Sequence, residues 1–240
     1  MPLTKAEIAR LRGLRLKKNR EASATFVVEG AKVVTELIGA GHDFEAIYAT
    51  SEWTADATLE IERIDEIEMA KISHFPTPSA VLAVGQISRS ELDPQELDTG
   101  FSLALDGIQD PGNVGTLLRI ADWFGFDRVL LSPDCADLFS QKVINASMGS
   151  FARIRVITTE LAPILSRATV TVLGSDLDGE PLHEVTRPEA AVVVIGSEGR
   201  GISRDVADTL TSRVTIPRLG KAESLNAAVA AGIVCAHLRG

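Results

Sequence analysis

Three strings in this chain of 240 residues combine glycine with side chains able to bind or polarise a ligand. The first runs Asp106-Gly107-Ile108-Gln109-Asp110-Pro111-Gly112-Asn113-Val114-Gly115 and leads to Arg119. Asp110-Pro111-Gly112 has the composition of a tight turn, and Asn113 that of a helix cap. Taken alone, the string fits either a site or a plainly capped helix with a solvated Arg119. The second is Gly196-Ser197-Glu198-Gly199-Arg200-Gly201-Ile202-Ser203, whose glycines let backbone approach a ligand closely. It is not a P-loop, because Ile202 follows Gly201 where that loop has Lys. Nor is it a dinucleotide fingerprint, because its spacing is G-x-x-G-x-G. A flexible turn is the other reading. The third is Ile216-Pro217-Arg218-Leu219-Gly220-Lys221-Ala222-Glu223-Ser224-Leu225-Asn226. Ser224 suits an N-cap there. Asn226 is a poor helix former just inside the expected helix, where an ordinary helix needs nothing special.

Strands and helices must hold these strings in place, and the hydrophobic pattern predicts an α/β chain in two parts. In the first part, residues 3–18 predict an amphipathic helix, 26–30 a strand ending in a turn, 32–38 a helix, 46–49 a strand, 58–72 a helix and 81–84 a buried strand. Residues 89–100 are polar and acidic, include Pro94, and read as a linker. In the second part, strands are predicted at 102–105, 128–131, 153–157, 169–173, 191–195 and 213–216. Helices are predicted at 114–124 behind an Asn113 cap, at 138–147 and at 225–238. Apolar strands alternating with helices imply a mostly parallel sheet covered on both faces. Ligands of such sheets bind at the carboxyl ends of the strands, where the three strings lie.

Composition removes several classes of function. No apolar run reaches the ~18 residues of a membrane span, and Met1-Pro2-Leu3-Thr4-Lys5 does not open a signal peptide. Cys135 and Cys235 lack metal-ligand spacing, the four histidines are scattered, and no metal site is expected. The expectation is a cytoplasmic protein with reduced thiols. A net charge of −9 is unevenly spread: residues 1–20 carry seven basic groups against Glu7 alone. Arg10, Arg12, Arg15, Lys17, Lys18 and Arg20 form a basic run able to attract phosphate on an acidic body, or else a solvated helix face.

Together, in this order, the three strings resemble the three motifs of the SpoU/TrmH branch of the SPOUT methyltransferases. The resemblance runs from about Ser102 to the C-terminus, and Lys142–Ser150 is similar to the family's stretch between motifs one and two, with Asn145 where many members are basic. Leu16–Arg20 and Phe26–Gly30 are similar to the family's small substrate-binding domain, itself similar to ribosomal RNA-binding proteins. The resemblance implies an RNA-binding α/β domain at 1–88, a linker at 89–100, and a methyltransferase domain at 101–240 threaded into a deep trefoil knot. It implies S-adenosylmethionine held bent by backbone at Gly196, Ile216 and Leu225. It also implies a homodimer packed through the helices of motifs one and three, with no metal. The reaction implied is methylation of a ribose 2′-hydroxyl, in ribosomal RNA before tRNA. Arg119 would act as base or as stabiliser of the developing alkoxide, with Asn113, Glu198, Ser224 and Asn226 orienting the reactants. A protein of this fold that binds RNA without catalysis would show a broken motif, and Arg119, Glu198, Ser224 and Asn226 are all present.

Overall fold

The basic N-terminal stretch forms two helices rather than the single helix expected over 3–18. The computed structural model describes residues 2–54 and 59–240. Helix α1 (Lys5–Gly13) is capped by Thr4, whose side chain accepts from the Glu7 amide. Leu11 and Leu14 are buried, but Leu16 is 53% exposed, so the apolar phase of α1 fails there. Leu16 turns extended and starts α2 (Lys17–Ser23), which rotates Arg20 inward. The Arg20 guanidinium then donates to the carbonyls of Leu14 (2.7 Å) and Arg15 (2.9 Å), left open between the two helices.

Strand β1 (Thr25–Glu29), helix α3 (Ala31–Gly39), strand β2 (Phe44–Ala49), the short β3 (Glu62–Arg63), helix α4 (Glu66–Ile72) and strand β4 (Val81–Gln86) follow. They make a four-stranded sheet of order β1-β4-β2-β3. β4 runs antiparallel to both β1 and β2. The helix expected at 58–72 is a bridge strand and a shorter helix, because Asp65 caps at the Glu68 amide (2.7 Å). Its first expected residue, Thr58, lies outside the described residues.

The second sheet is assembled from β5 (Phe101–Asp106), α5 (Pro111–Trp123), β6 (Arg128–Leu131), α6 (Gln141–Ser147), α7 (Ser150–Arg153), β7 (Arg155–Thr158), α8 (Leu161–Leu165), β8 (Thr171–Pro181), β9 (Ala191–Gly196), α9 (Arg204–Ala207), β10 (Ser212–Thr215) and α10 (Ala227–Arg239). Its six strands, in order β10-β8-β9-β5-β6-β7, are parallel throughout. One face buries Ala104, Leu130, Ile157, Val172, Val192 and Val194 against α8 and α9. The alternate residues Leu103, Leu105, Val129, Val193 and Ile195 are equally buried. Two covered faces explain why β9 reads as an unbroken apolar run. On this sheet α10 packs against α5, β8 and β9.

The chain divides into two compact units, residues 1–88 with 137–152, and residues 89–136 with 153–240. Segment 137–152 joins the first unit through an aromatic cluster: Phe26 lies 5.2 Å from Phe139 and 5.7 Å from Phe151, ring centre to ring centre. Gln141 and Asn145 both donate to the Glu29 carbonyl, at 3.2 and 3.4 Å. In the second unit the polar stretch after 89 holds a 3-10 turn at Pro94–Asp98 with a full capping box from Asp93, and Leu97 is buried under it. Among the described residues no helix is long and apolar enough to cross a membrane.

Candidate active site

The first string leaves β5 at Asp106 and opens α5. Asp110, not Asn113, caps the helix: its carboxylate accepts from the Asn113 amide at 2.8 Å, and Pro111 occupies the first helical position. Asn113 therefore sits inside the first turn with its carboxamide available elsewhere. Arg119 is exposed farther along α5 and, among the described residues, makes no hydrogen bond or ion pair. Trp123, four residues on, is 84% exposed.

The second string is a closed loop. The Ser197 amide donates to the Gly201 carbonyl (3.1 Å), and the Gly201 amide returns to the Ser197 carbonyl (2.8 Å). Gly196 faces this bridge so closely that a Cβ there would lie 2.2 Å from the Gly201 carbonyl carbon. The closed loop projects Glu198, whose Oε1 accepts from Asn113 Nδ2 (3.0 Å), Asn226 Nδ2 (2.7 Å) and the Ala227 amide (3.3 Å).

Asn226 also explains the third string. It, rather than Ser224, caps α10: its Oδ1 accepts from the amides of Ala228 (3.0 Å) and Val229 (3.3 Å). The helix consequently starts at Ala227, two residues later than expected. The other end of the carboxamide donates to Glu198 and to Asn113 Oδ1 (2.9 Å). One asparagine thus serves as cap and as junction, and one carboxylate oxygen joins all three strings.

Beside this junction lies a cavity of about 590 Å³ at the carboxyl ends of β8, β9 and β10. Gly196, Ile216, Leu225, Glu198 and Ser224 all line it, whereas Asn113, Arg119 and Asn226 do not. Leu219 stands fully exposed in the same loop. Among the described residues no group of three or more His, Cys, Asp or Glu side chains could hold a metal ion. Burial pushes the Cys235 thiol up to about 12 and raises Cys135 as well, so neither is a ready nucleophile.

Two residues that the sequence did not point to belong to the same region. Ser132 and Asp134 follow β6. Ser132 donates to Asp134 (2.6 Å), and Asp134 pairs with Arg200 of the second string (2.7 Å). The Ser132 hydrogen bond, and after it Arg200, hold the Asp134 carboxyl below the usual carboxylate range.

The basic run, in the other unit, is partly spent on the fold. Arg20 is buried, and its guanidinium is held by two carbonyls and by Asp137, so it is removed from the set expected to meet phosphate. Arg10 is engaged by Glu7 (2.8 Å) and Glu45 (3.2 Å), and Arg15 donates to the Ser73 carbonyl. Arg12, Arg15, Lys17 and Lys18 are exposed.

Known proteins share both units. Residues 100–236 match the SpoU rRNA methylase family, and residues 5–83 the MRM3-like substrate binding domain. The 23S rRNA (guanosine(2553)-2′-O)-methyltransferase RlmP of Bacillus subtilis (strain 168) is 32% identical over 95% of this chain and 93% of its own length. A TrmH-family chain from Porphyromonas gingivalis is 38% identical with a TM-score of 0.89, covering 100% of this chain and 99% of its own. The AdoMet-bound rRNA methyltransferase from Sinorhizobium meliloti is 25% identical with a TM-score of 0.85, covering 100% of this chain and 96% of its own. With the family's match covering all six strands of the second sheet and the three strings, the chain belongs to the SpoU rRNA methylase family.

Proposed function

We propose that this protein transfers the methyl group of S-adenosylmethionine to a ribose 2′-hydroxyl of 23S ribosomal RNA in the cytoplasm. The observation that carries the reading is the Glu198 junction, which draws Asn113, Asn226 and the start of α10 together beside the cavity. The relatives named for ribosomal RNA methylation, one of them solved with AdoMet, support it.

The cavity suits the donor. Its volume, about 590 Å³, is in the range of small-molecule sites. Ile216, Leu219 and Leu225 offer an apolar wall for adenine, and backbone at Gly196, Ile216 and Leu225 can hydrogen-bond its edge. Carboxylates at Asp176, Glu198 and Glu223 line the same space and suit a ligand with ammonium and sulfonium charges. When bound, the donor supplies an electrophilic methyl on a sulfonium. The protein's part is to bring a ribose oxygen in line and to manage its proton. A guanidinium keeps its proton in proteins, so Arg119 acts as a fixed cation beside the oxygen as negative charge develops there, while the hydroxyl proton passes to solvent water and S-adenosylhomocysteine leaves as the neutral thioether. Asn113, Glu198, Ser224 and Asn226 set the positions of both reactants.

Residues 1–88 gather the RNA, residues 101–240 perform the transfer, and 89–100 connect them. The family reading also brings a trefoil knot in the C-terminal part of the chain. It brings a homodimer through α5 and α10, supported by exposed Trp123, Val229 (51%) and Ile233 (40%) on that helix pair. Val229→Glu with Ile233→Glu should halve the mass measured by sedimentation. A parent chain that sediments as a monomer would remove the dimer from the reading.

The function is tested by incubating the protein with labelled S-adenosylmethionine and total RNA, and by mapping 2′-O-methyl groups in cells with and without it. Loss of one 23S site is expected. A lost tRNA site instead would move the substrate, and no lost site would end the proposal. The basic tip provides a second test. Arg12→Glu, Lys17→Glu and Lys18→Glu together should weaken RNA binding and lower its salt slope by ~0.7–0.9 for each phosphate no longer neutralised. Arg20 stays unaltered, because its loss would unfold the turn it fills. Unchanged RNA affinity at physiological salt would return these residues to the role of a solvated helix face.

A further inference from the structure

We propose that Ser132 and Asp134, in the turn after β6, act with Arg200 as positioning residues that fix the donor-binding loop 196–203 onto the end of β5. The inference rests on the donor reading above, and Ser132 and Asp134 lie outside the three strings.

A continuous chain of hydrogen bonds carries it. The Gly107 amide donates to Ser132 Oγ (2.8 Å), Ser132 Oγ donates to Asp134 Oδ1 (2.6 Å), and Arg200 Nη2 donates to Asp134 Oδ2 (2.7 Å). Gly107 adopts φ +67°, and a Cβ on it would lie 2.5 Å from Arg200 Nη2 and 3.2 Å from Asp134. The missing side chain is thus the space through which Arg200 crosses the first motif to reach its partner. Beyond Arg200, the Ser203 amide donates to Asp106 Oδ2 at 2.5 Å. Before it, Glu198 accepts from Asn113. The loop is pinned to α5 at residue 198, to the turn after β6 at residue 200 and to β5 at residue 203, and the middle pin is the one that depends on Asp134.

That pin holds a segment in which Gly199 and Gly201 flank Arg200, a sequence costly to order. The pair itself is open to water, with side-chain exposures of 64% for Arg200 and 47% for Asp134. An exposed pair adds little to global stability. Its effect therefore falls on where the loop backbone stands, and that backbone lines the cavity.

The test uses the full chain and S-adenosylhomocysteine as probe, with calorimetric Kd, melting temperature, and kcat at saturating donor and RNA. Asp134→Asn and Arg200→Met should each raise the probe's Kd about tenfold, the scale of one coupled interaction. The double variant should be no worse than either single. Arg200→Lys should recover part of the affinity, and the kcat of Asp134→Asn at saturation should stay within about twofold of the parent. Unchanged Kd in Asp134→Asn overturns the proposal. So do single effects that multiply in the double, which would make the two residues independent. A loss of affinity that tracks a large fall in melting temperature in every variant also overturns it, since it would mark a structural role. A parent chain that fails to bind the probe refutes the donor reading itself, a result distinct from these.

Discussion

Arg119→Ala is expected to slow methyl transfer by ~10²–10³ at saturating donor and RNA, the usual loss for one preorganised charge at a reacting oxygen. The structure leaves Arg119 exposed on α5 and, among the described residues, without hydrogen-bond or ion-pair partner. Nothing in the fold needs it, so the substitution should change stability by no more than ~0.5 kcal/mol. A large rate effect with a silent melting curve is hard to produce by any route except contact with the reacting groups. Donor affinity should hold, because Arg119 does not line the cavity. Arg119→Lys divides the mechanisms: lysine keeps the charge and loses the planar fork. Recovery by lysine assigns the role to charge, and failure assigns it to bidentate positioning. Single-turnover transfer is the deciding measurement. A parental rate in Arg119→Ala would take Arg119 out of the mechanism and leave Glu198 as the next residue to test.

Much of the second unit was legible because parallel strands covered on both faces must be apolar at every position. β6 was expected at Arg128–Leu131 and lies there, and β9 extends its expected range by one residue. β8 departs furthest: expected over 169–173, it runs from Thr171 to Pro181, while the strand expected at 153–157 lies at Arg155–Thr158 behind α7. β8 lies beside the edge strand β10, pairing with it through a register shift, and its later residues Asp176, Asp178 and Glu180 carry no apolar signal. Helix α8 carries no helical signal in the sequence because Pro163 sits within its five residues.

The site was legible as residue types and less so as geometry. Asp110 and Asn113 can both cap a helix, and the deciding signal, Pro111 at the first helical position, was present. Asn226 looks misplaced only against a helix that begins at Leu225, and it is in place as the cap of one that begins at Ala227. The pairing of segment 137–152 with 1–88, and of Asp134 with Arg200, rests on contacts between residues far apart in the chain. Ser132-Pro133-Asp134 has ordinary turn composition and announces nothing by itself. The buried Arg20 shows the converse, since charge alone does not distinguish it from its basic neighbours although it answers open carbonyls inside the fold.

Gly196→Ala is expected to eliminate measurable donor binding, a loss of at least ~100-fold. Its Cβ would meet the Gly201 carbonyl carbon at 2.2 Å, the Ile202 amide nitrogen at 2.4 Å and the Gly201 oxygen at 2.5 Å. All three are backbone atoms, so no rotamer change relieves the clash. Relief requires the Ser197–Gly201 bridge to open, and opening it moves Glu198 away from Asn113 and Asn226. Overpacking of this kind costs ~1–3 kcal/mol in stability, too little to unfold a typical domain. The effect should therefore appear chiefly as lost binding. Two other glycines of the loop calibrate it. Gly201 has open space around its Cβ position but adopts φ +67°, so Gly201→Ala should cost only the ~1–2 kcal/mol of a left-handed residue. Gly199 has no atom within 4 Å and no such φ, so Gly199→Ala should bind like the parent. Calorimetry with S-adenosylhomocysteine on the three variants should rank their losses Gly196, Gly201, Gly199. If Gly196→Ala binds as tightly as Gly199→Ala, the closed form of the loop is not what holds the donor. The adenine and amino-acid contacts must then be sought in residues 216–225 alone.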